Sequence, residues 1–134
     1  MFGRTKVTPK PVDKDVQYWL NLARYDMDTA VSMYKAKRYL YVLFSCQQAV
    51  ERMLNALVVK SKGEFPPGTH DLLHLAELAQ LELKREDKEF LGMLSFYYVH
   101  SRYSQDTSEA TKNIARDCLE KTRGVLKCLE QKIH

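Results

Sequence analysis

Proline and glycine, the residues that most often interrupt helices, are confined to a few places in this chain of 134 residues. All four prolines and three of the five glycines lie in residues 1–12 or in the segment GEFPPG at residues 63–68. Elsewhere the apolar residues recur at three and four positions, which is the spacing of one helix face, and no segment alternates as a strand does. The sequence therefore predicts an all-α fold.

The periodicity and the capping residues divide the chain into five helices. The first begins near Asp13, a good N-cap residue, and ends in the basic segment KAKR at residues 35–38. The remaining helices are predicted at about Arg38–Ser61, in the short segment THDLLHLAELAQ with Thr69 or Asp71 as its cap, at Glu86–Arg102 and at Ser108–Lys132. Long helices with short connections pack as antiparallel neighbours. We expect one domain over residues 1–134, an up-and-down antiparallel four-helix bundle with an additional short helix, preceded by an irregular lead at residues 1–12.

The composition excludes several classes of protein. No apolar run approaches the ~18 to 20 residues of a membrane-spanning helix. The N-terminal segment lacks the apolar stretch of ~7 to 15 residues that a secretory signal uses. Three cysteines without a C-x-x-C pair are predicted to be reduced, semi-buried thiols. These observations predict a cytoplasmic protein without membrane contact. The net charge of +4 is interleaved along the chain, so it permits an acidic partner or a nucleotide without requiring nucleic acid.

The second helix is apolar yet carries amide and carboxylate groups near its middle. At ~100° per residue its core face comprises Val42, Cys46, Ala49, Val50, Met53 and Leu57. Gln47 falls on the flank of this face, whereas a mixed second face carries Tyr41, Phe44, Gln48, Glu51 and Asn55. This second face could simply be solvated. Aromatic rings beside hydrogen-bonding groups fit contact with a partner subunit or a ligand better.

Four sequence patterns, taken in order, resemble the HEPN (higher eukaryotes and prokaryotes nucleotide-binding) family from about Asp13 to Lys132. They are W-x3-A-x2-D-x3-A at residues 19–30, F-x2-QQAVE at residues 44–51, THDL at residues 69–72 and SRY at residues 101–103. The resemblance implies a bundle of four to five helices that commonly forms a homodimer. It also implies one of two functions. Some members cleave RNA, and others are small proteins that are proposed to bind nucleotides and are often encoded beside minimal nucleotidyltransferases, as in toxin–antitoxin pairs.

The ribonuclease members carry an arginine followed, after four to six residues, by a histidine, and the two are paired across a dimer. Here YSQDTSE follows Arg102, and Arg38, Arg52 and Arg85 also lack a histidine at that distance. His100 precedes Arg102 by two residues, which is roughly 200° around a helix, so the two cannot converge on one phosphate within a chain. The sequence therefore favours a non-nuclease member that binds a nucleotide or a nucleotidyltransferase partner. A ribonuclease that acts on RNA as a dimer is the alternative.

His70, His74 and Glu77 have the spacing of one helix face, which can hold zinc. The alternative is that His70 and Asp71 cap the third helix or hold the preceding loop, while His74 lies at the surface. We favour the latter and expect neither a metal nor a cofactor. The candidate nucleotide- or partner-binding residues, expected at or beside one groove, are Phe44, Gln47, Gln48, Glu51, His70, Asp71, Arg102 and Tyr103.

Overall fold

The computed structural model describes residues 10–103 and 110–134, with side chains at residues 13–100 and 110–134. These residues form five helices, which confirms the predicted all-α class. The helices are α1 (Lys10–Lys35), α2 (Tyr39–Lys62), α3 (Leu72–Leu78), α4 (Arg85–Tyr103) and α5 (Lys112–Gln131). Within the described ranges, no helix is long and apolar enough to cross a membrane.

Two predicted helix starts were wrong. α1 begins at Lys10 rather than at Asp13, so residues 10–12 of the predicted irregular lead are helical. Pro11 is tolerated there because the first turn of a helix has no intrahelical acceptor for its backbone N–H groups. α5 begins at Lys112, where the Thr111 hydroxyl caps the helix by accepting a hydrogen bond from Ile114 N at 3.2 Å. Ala110 and Thr111, which a start at Ser108 would include in the helix, are not helical; Ser108 itself lies outside the described residues.

α2 is the central element of the bundle. It packs against α1, α3, α4 and α5, while α1 packs mainly along α2 and only lightly against α5. The core lies around α2, and its largest fully buried apolar side chains are Leu20, Met53, Leu54, Leu72, Leu75, Leu91, Leu94 and Leu129. The predicted thiols are free; Cys46 and Cys118 are buried, whereas Cys128 is exposed and not semi-buried as predicted.

The loop at residues 63–71 positions the candidate site. Gly63 ends α2 in the left-handed region at φ 67°, with its N–H donating to Val59 O at 2.7 Å. A residue with a Cβ would be strained there. The loop then runs back along α2 and brings residue 70 to the level of Gln47 and Glu51. Asp71 caps α3, accepting from the backbone N–H groups of Leu73 and His74. The loop is therefore held at both ends.

Candidate functional site

Gln47, Glu51 and His70 form a hydrogen-bonded group between α2 and the loop. The imidazole Nδ1 of His70 lies 2.8 Å from Glu51 Oε1. The Gln47 amide donates to Glu51 Oε1 and to the backbone carbonyl of His70, both at 3.2 Å. Gln47 and Glu51 are 0% and 8% exposed. One helical turn of α2 therefore fixes both the side chain and the backbone of His70.

This arrangement determines how the Gln47 amide is oriented. Both of its partners are acceptors, so only the NH₂ group can face them. The Oε1 atom consequently points away, and no donor of the described residues reaches it. A buried carbonyl oxygen without a partner costs free energy, and such atoms are uncommon in folded proteins.

A second pair of charged groups joins α1 to the same stretch of α2. Arg52 donates to Gln48 Oε1 at 2.8 Å, and its guanidinium lies 3.8 Å from Asp26 Oδ2. Burial raises the pKa of the Asp26 carboxyl above its ordinary value; Arg52 opposes this and the Glu51 carboxylate adds to it. We call Asp26, Gln47, Glu51, Arg52 and His70 the polar cluster. It combines a desolvated carboxyl, an arginine and a histidine, a combination typical of binding and catalytic sites.

Aromatic side chains surround the opening of the polar cluster. Trp19 of α1 makes an edge contact with Phe65 of the loop, with ring centroids 6.1 Å apart, and another with Tyr18 at 5.2 Å. Phe65 is 81% exposed. These rings, together with Arg52 and His70, line a cavity of about 260 Å³ that also includes Glu51, Asn55, Leu22, Pro66, Gly68 and Thr69. The cavity, which we call the aromatic mouth, offers stacking surface beside a cation.

The structure brings several of the predicted site residues together. Phe44 reaches the cluster through Tyr98, whose ring centroid lies 5.7 Å from that of Phe44 and 5.0 Å from that of His70. Gln48 joins it through Arg52. Asp71 is next to His70, but its carboxylate is used as the cap of α3. The side chains of Arg102 and Tyr103 lie outside the described residues.

The predicted exposure of the second face of α2 needs correction. Gln47, on the flank of the core face, is fully buried, and Glu51 and Asn55 of the second face are buried as well, at 8% and 7% exposure. The reason is the central position of α2, since α1 and the loop cover the face that a helix at the edge of a bundle would expose. Of the predicted aromatic residues on this face, Tyr41 is 55% exposed and Phe44 is half-buried.

His70, His74 and Glu77 do not share a helix face, because α3 begins only at Leu72. His70 turns to Glu51, and His74 lies 3.9 Å from Glu77. Among the described residues, no three histidine, cysteine or acidic side chains are placed to hold a metal ion. The alternative, in which Asp71 caps the helix and His70 holds the loop, is confirmed.

Sequence reasoning omitted four residues of this site: Trp19, Asp26, Arg52 and Phe65. Arg52 follows Gln48 by four positions, which places the two on one face of a helix. Phe65 is an aromatic residue in a loop of glycine and proline, where no core position accounts for it. Asp26 and Trp19 belong to the first of the family patterns, yet the helical wheel of α2 alone gives no reason to place them beside it.

Comparison with known proteins agrees with the all-α fold. The family model described as "HEPN domain" matches residues 16–132. The chain therefore belongs to the HEPN domain family. Its fold is similar to the crystal structure of TT1696 from Thermus thermophilus, with a TM-score of 0.74 and 24% sequence identity over 87% of this chain and 97% of that one. At this identity the likeness concerns the fold alone. Among curated protein sequences no match was found.

Proposed function

We propose that this protein is a small HEPN binding module that takes a nucleotide at the aromatic mouth. The observation that carries the proposal is the position of Trp19 and the exposed Phe65 directly beside Arg52 and His70. A nucleotide needs an aromatic surface for its base and a cation for its phosphates. Both are present within one cavity, and the bundle has already fixed the surrounding polar groups.

Each residue has a distinct part in this proposal. Phe65 and Trp19 stack on the base, Arg52 pairs with a phosphate oxygen, and the Asn55 amide is available for a base edge. Glu51 holds His70 in place through the 2.8 Å contact rather than touching the ligand. The cavity of about 260 Å³ is small, so we expect it to hold the base and the nearest phosphate while the rest of the ligand extends into solvent.

The experiment that tests the proposal is calorimetry of the purified protein with ATP, GTP and a short RNA, run beside an RNA-cleavage assay. Phe65→Ala should weaken nucleotide binding by roughly 1 to 3 kcal/mol, the range for loss of one base–aromatic contact. Phe96→Ala is the matched control, because Phe96 is also exposed, at 61%, but stacks on His100 outside the cavity. Equal effects of the two changes, or no binding of any nucleotide, would contradict the proposal. Cleavage of the RNA would favour the dimeric ribonuclease instead.

The same proposal includes protein partners. A homodimer is supported by the exposed ring of Tyr41 beside Phe44, with centroids 5.7 Å apart. A minimal nucleotidyltransferase, as in a toxin–antitoxin pair, is the partner that the family implies. Light scattering tests the homodimer: a species of 15.6 kDa at all micromolar concentrations would exclude it. Co-purification with an encoded neighbouring nucleotidyltransferase tests the second partner.

A further inference from the structure

A second cavity of the described residues lies away from the aromatic mouth and shares no residue with it. It has a volume of about 550 Å³ and opens between α1 and α5, where these two helices touch only lightly. Ala23, Met27, Met53 and Leu126 form its apolar walls. Its size falls in the range of small-molecule sites, roughly 300 to 1,000 Å³. We call it the apolar pocket.

The rim of the apolar pocket is charged and has an excess of cations. Arg24 on α1 and Glu130 on α5 form a salt bridge of 2.7 Å, so their charges offset one another. Arg123 and Lys127, four positions apart on α5, form no salt bridge with any described residue. The opposing rim charge is Asp28 of α1, and the imidazole of His134 lies at the same edge. The unpaired rim charges therefore comprise two cations and one anion.

We propose that the apolar pocket binds a small amphipathic anion, with its apolar body between the two methionines and its carboxylate or phosphate group at Arg123 and Lys127. An apolar ligand without a charge would leave these cations unused, and a cationic ligand would meet them with the same sign. Methionine side chains suit such a site because they adapt to ligands of different shape. This site is independent of the nucleotide site.

The test uses protein labelled with ¹³C in the methionine methyl groups, titrated with decanoate, decyl phosphate, decanol and decyltrimethylammonium below their micelle-forming concentrations. The signals of Met27 and Met53 should shift and saturate with the two anions, whereas that of Met33, which does not line the pocket, should not. Whichever of decanoate and decyl phosphate binds more tightly identifies the head group that the pocket prefers. Equal binding of all four compounds, shifts of all the methyl signals, or no saturable shift would overturn the proposal.

Variants of the rim residues distinguish recognition of the ligand's charge from nonspecific hydrophobic binding. The double change Arg123→Glu and Lys127→Glu should weaken decanoate binding on the order of tenfold, because each exposed charge contributes up to a few-fold in affinity. Asp28→Asn removes the opposing charge and should strengthen binding. Lys112→Glu, the matched control, reverses a charge in the first turn of α5 outside the pocket and should have no effect. The proposal would be overturned if Lys112→Glu weakened decanoate binding as strongly as the double variant does. It would also be overturned if neither the double variant nor Asp28→Asn changed decanoate binding.

Discussion

Both sides of α2 contain buried residues, but those residues differ in chemistry. The core face, with Val42, Ala49 and Val50 all 0% exposed, is apolar and close-packed. The polar face, which comprises Gln47 on the flank and Glu51 and Asn55 on the far side of the helix, is also buried at these three residues. Burial of polar groups is unfavourable unless hydrogen bonds replace those with water. The polar face therefore lowers the stability that a fully apolar helix would give, and its groups instead fix the position of the loop and of His70.

The comparison predicts the largest effect on the core face. Leu57→Ala removes a side chain that is 5% exposed and leaves a cavity, so the free energy of unfolding should fall by about 2 to 5 kcal/mol in urea denaturation. Leu73→Ala changes a leucine that is 40% exposed and serves as the control. It should lower the free energy of unfolding much less than Leu57→Ala does. Similar losses at the two leucines would contradict the assigned core.

On the polar face, Glu51→Ala should have an intermediate effect. It removes the carboxylate that accepts hydrogen bonds from both Gln47 and His70, so the buried Gln47 NH₂ group loses one of its two acceptors. The free energy of unfolding should fall by about 1 to 3 kcal/mol in the same measurement. Hydrogen exchange should also speed up for the loop amide of Asp71, whose N–H donates to Thr69. Loss of stability without any change in the loop would show that Glu51 does not anchor it.

Asp26→Asn should change how stability depends on pH. Because burial raises the pKa of Asp26 in the folded protein above the ordinary 3.8, the folded state binds this proton more tightly than the unfolded chain. The resulting stability is fully present below pH 3.8 and is lost as the pH rises through the folded-state value. Asparagine does not ionise, so the stability of the variant relative to the native protein should increase between acidic and neutral pH. A constant difference across that range would contradict the desolvation of Asp26.

The smallest effect is expected for Gln47→Met. The change removes two long hydrogen bonds of 3.2 Å, but it also removes the buried Oε1 that has no donor among the described residues. The two effects oppose each other. The free energy of unfolding, obtained from thermal melting, should therefore change by no more than about 1 kcal/mol. A loss as large as that of Leu57→Ala would show that Gln47 has partners beyond those described.

The fold could be predicted because it depends on local signals. The 3.6-residue periodicity and the GEFPPG segment are visible in the sequence, and Asp71 was correctly expected among the possible caps of the third helix. Within the candidate site, Gln47, Glu51 and His70 were predicted, since they are polar positions of the family patterns QQAVE and THDL. The contacts of Arg52 with Asp26 and of Trp19 with Phe65 could not be predicted, because they depend on how α1 and the loop pack against α2.

The central claim is that the polar face of α2 opens into a nucleotide site, and the most direct test is ¹H–¹⁵N NMR during titration with ATP and GTP. We expect the indole N–H of Trp19 and the side-chain amide of Asn55, both of which line the aromatic mouth, to shift and saturate with at least one nucleotide. The backbone signals of Lys127 and Gln131 at the apolar pocket should stay in place. Unshifted Trp19 and Asn55 signals at saturating nucleotide, or shifts confined to the apolar pocket, would contradict the claim.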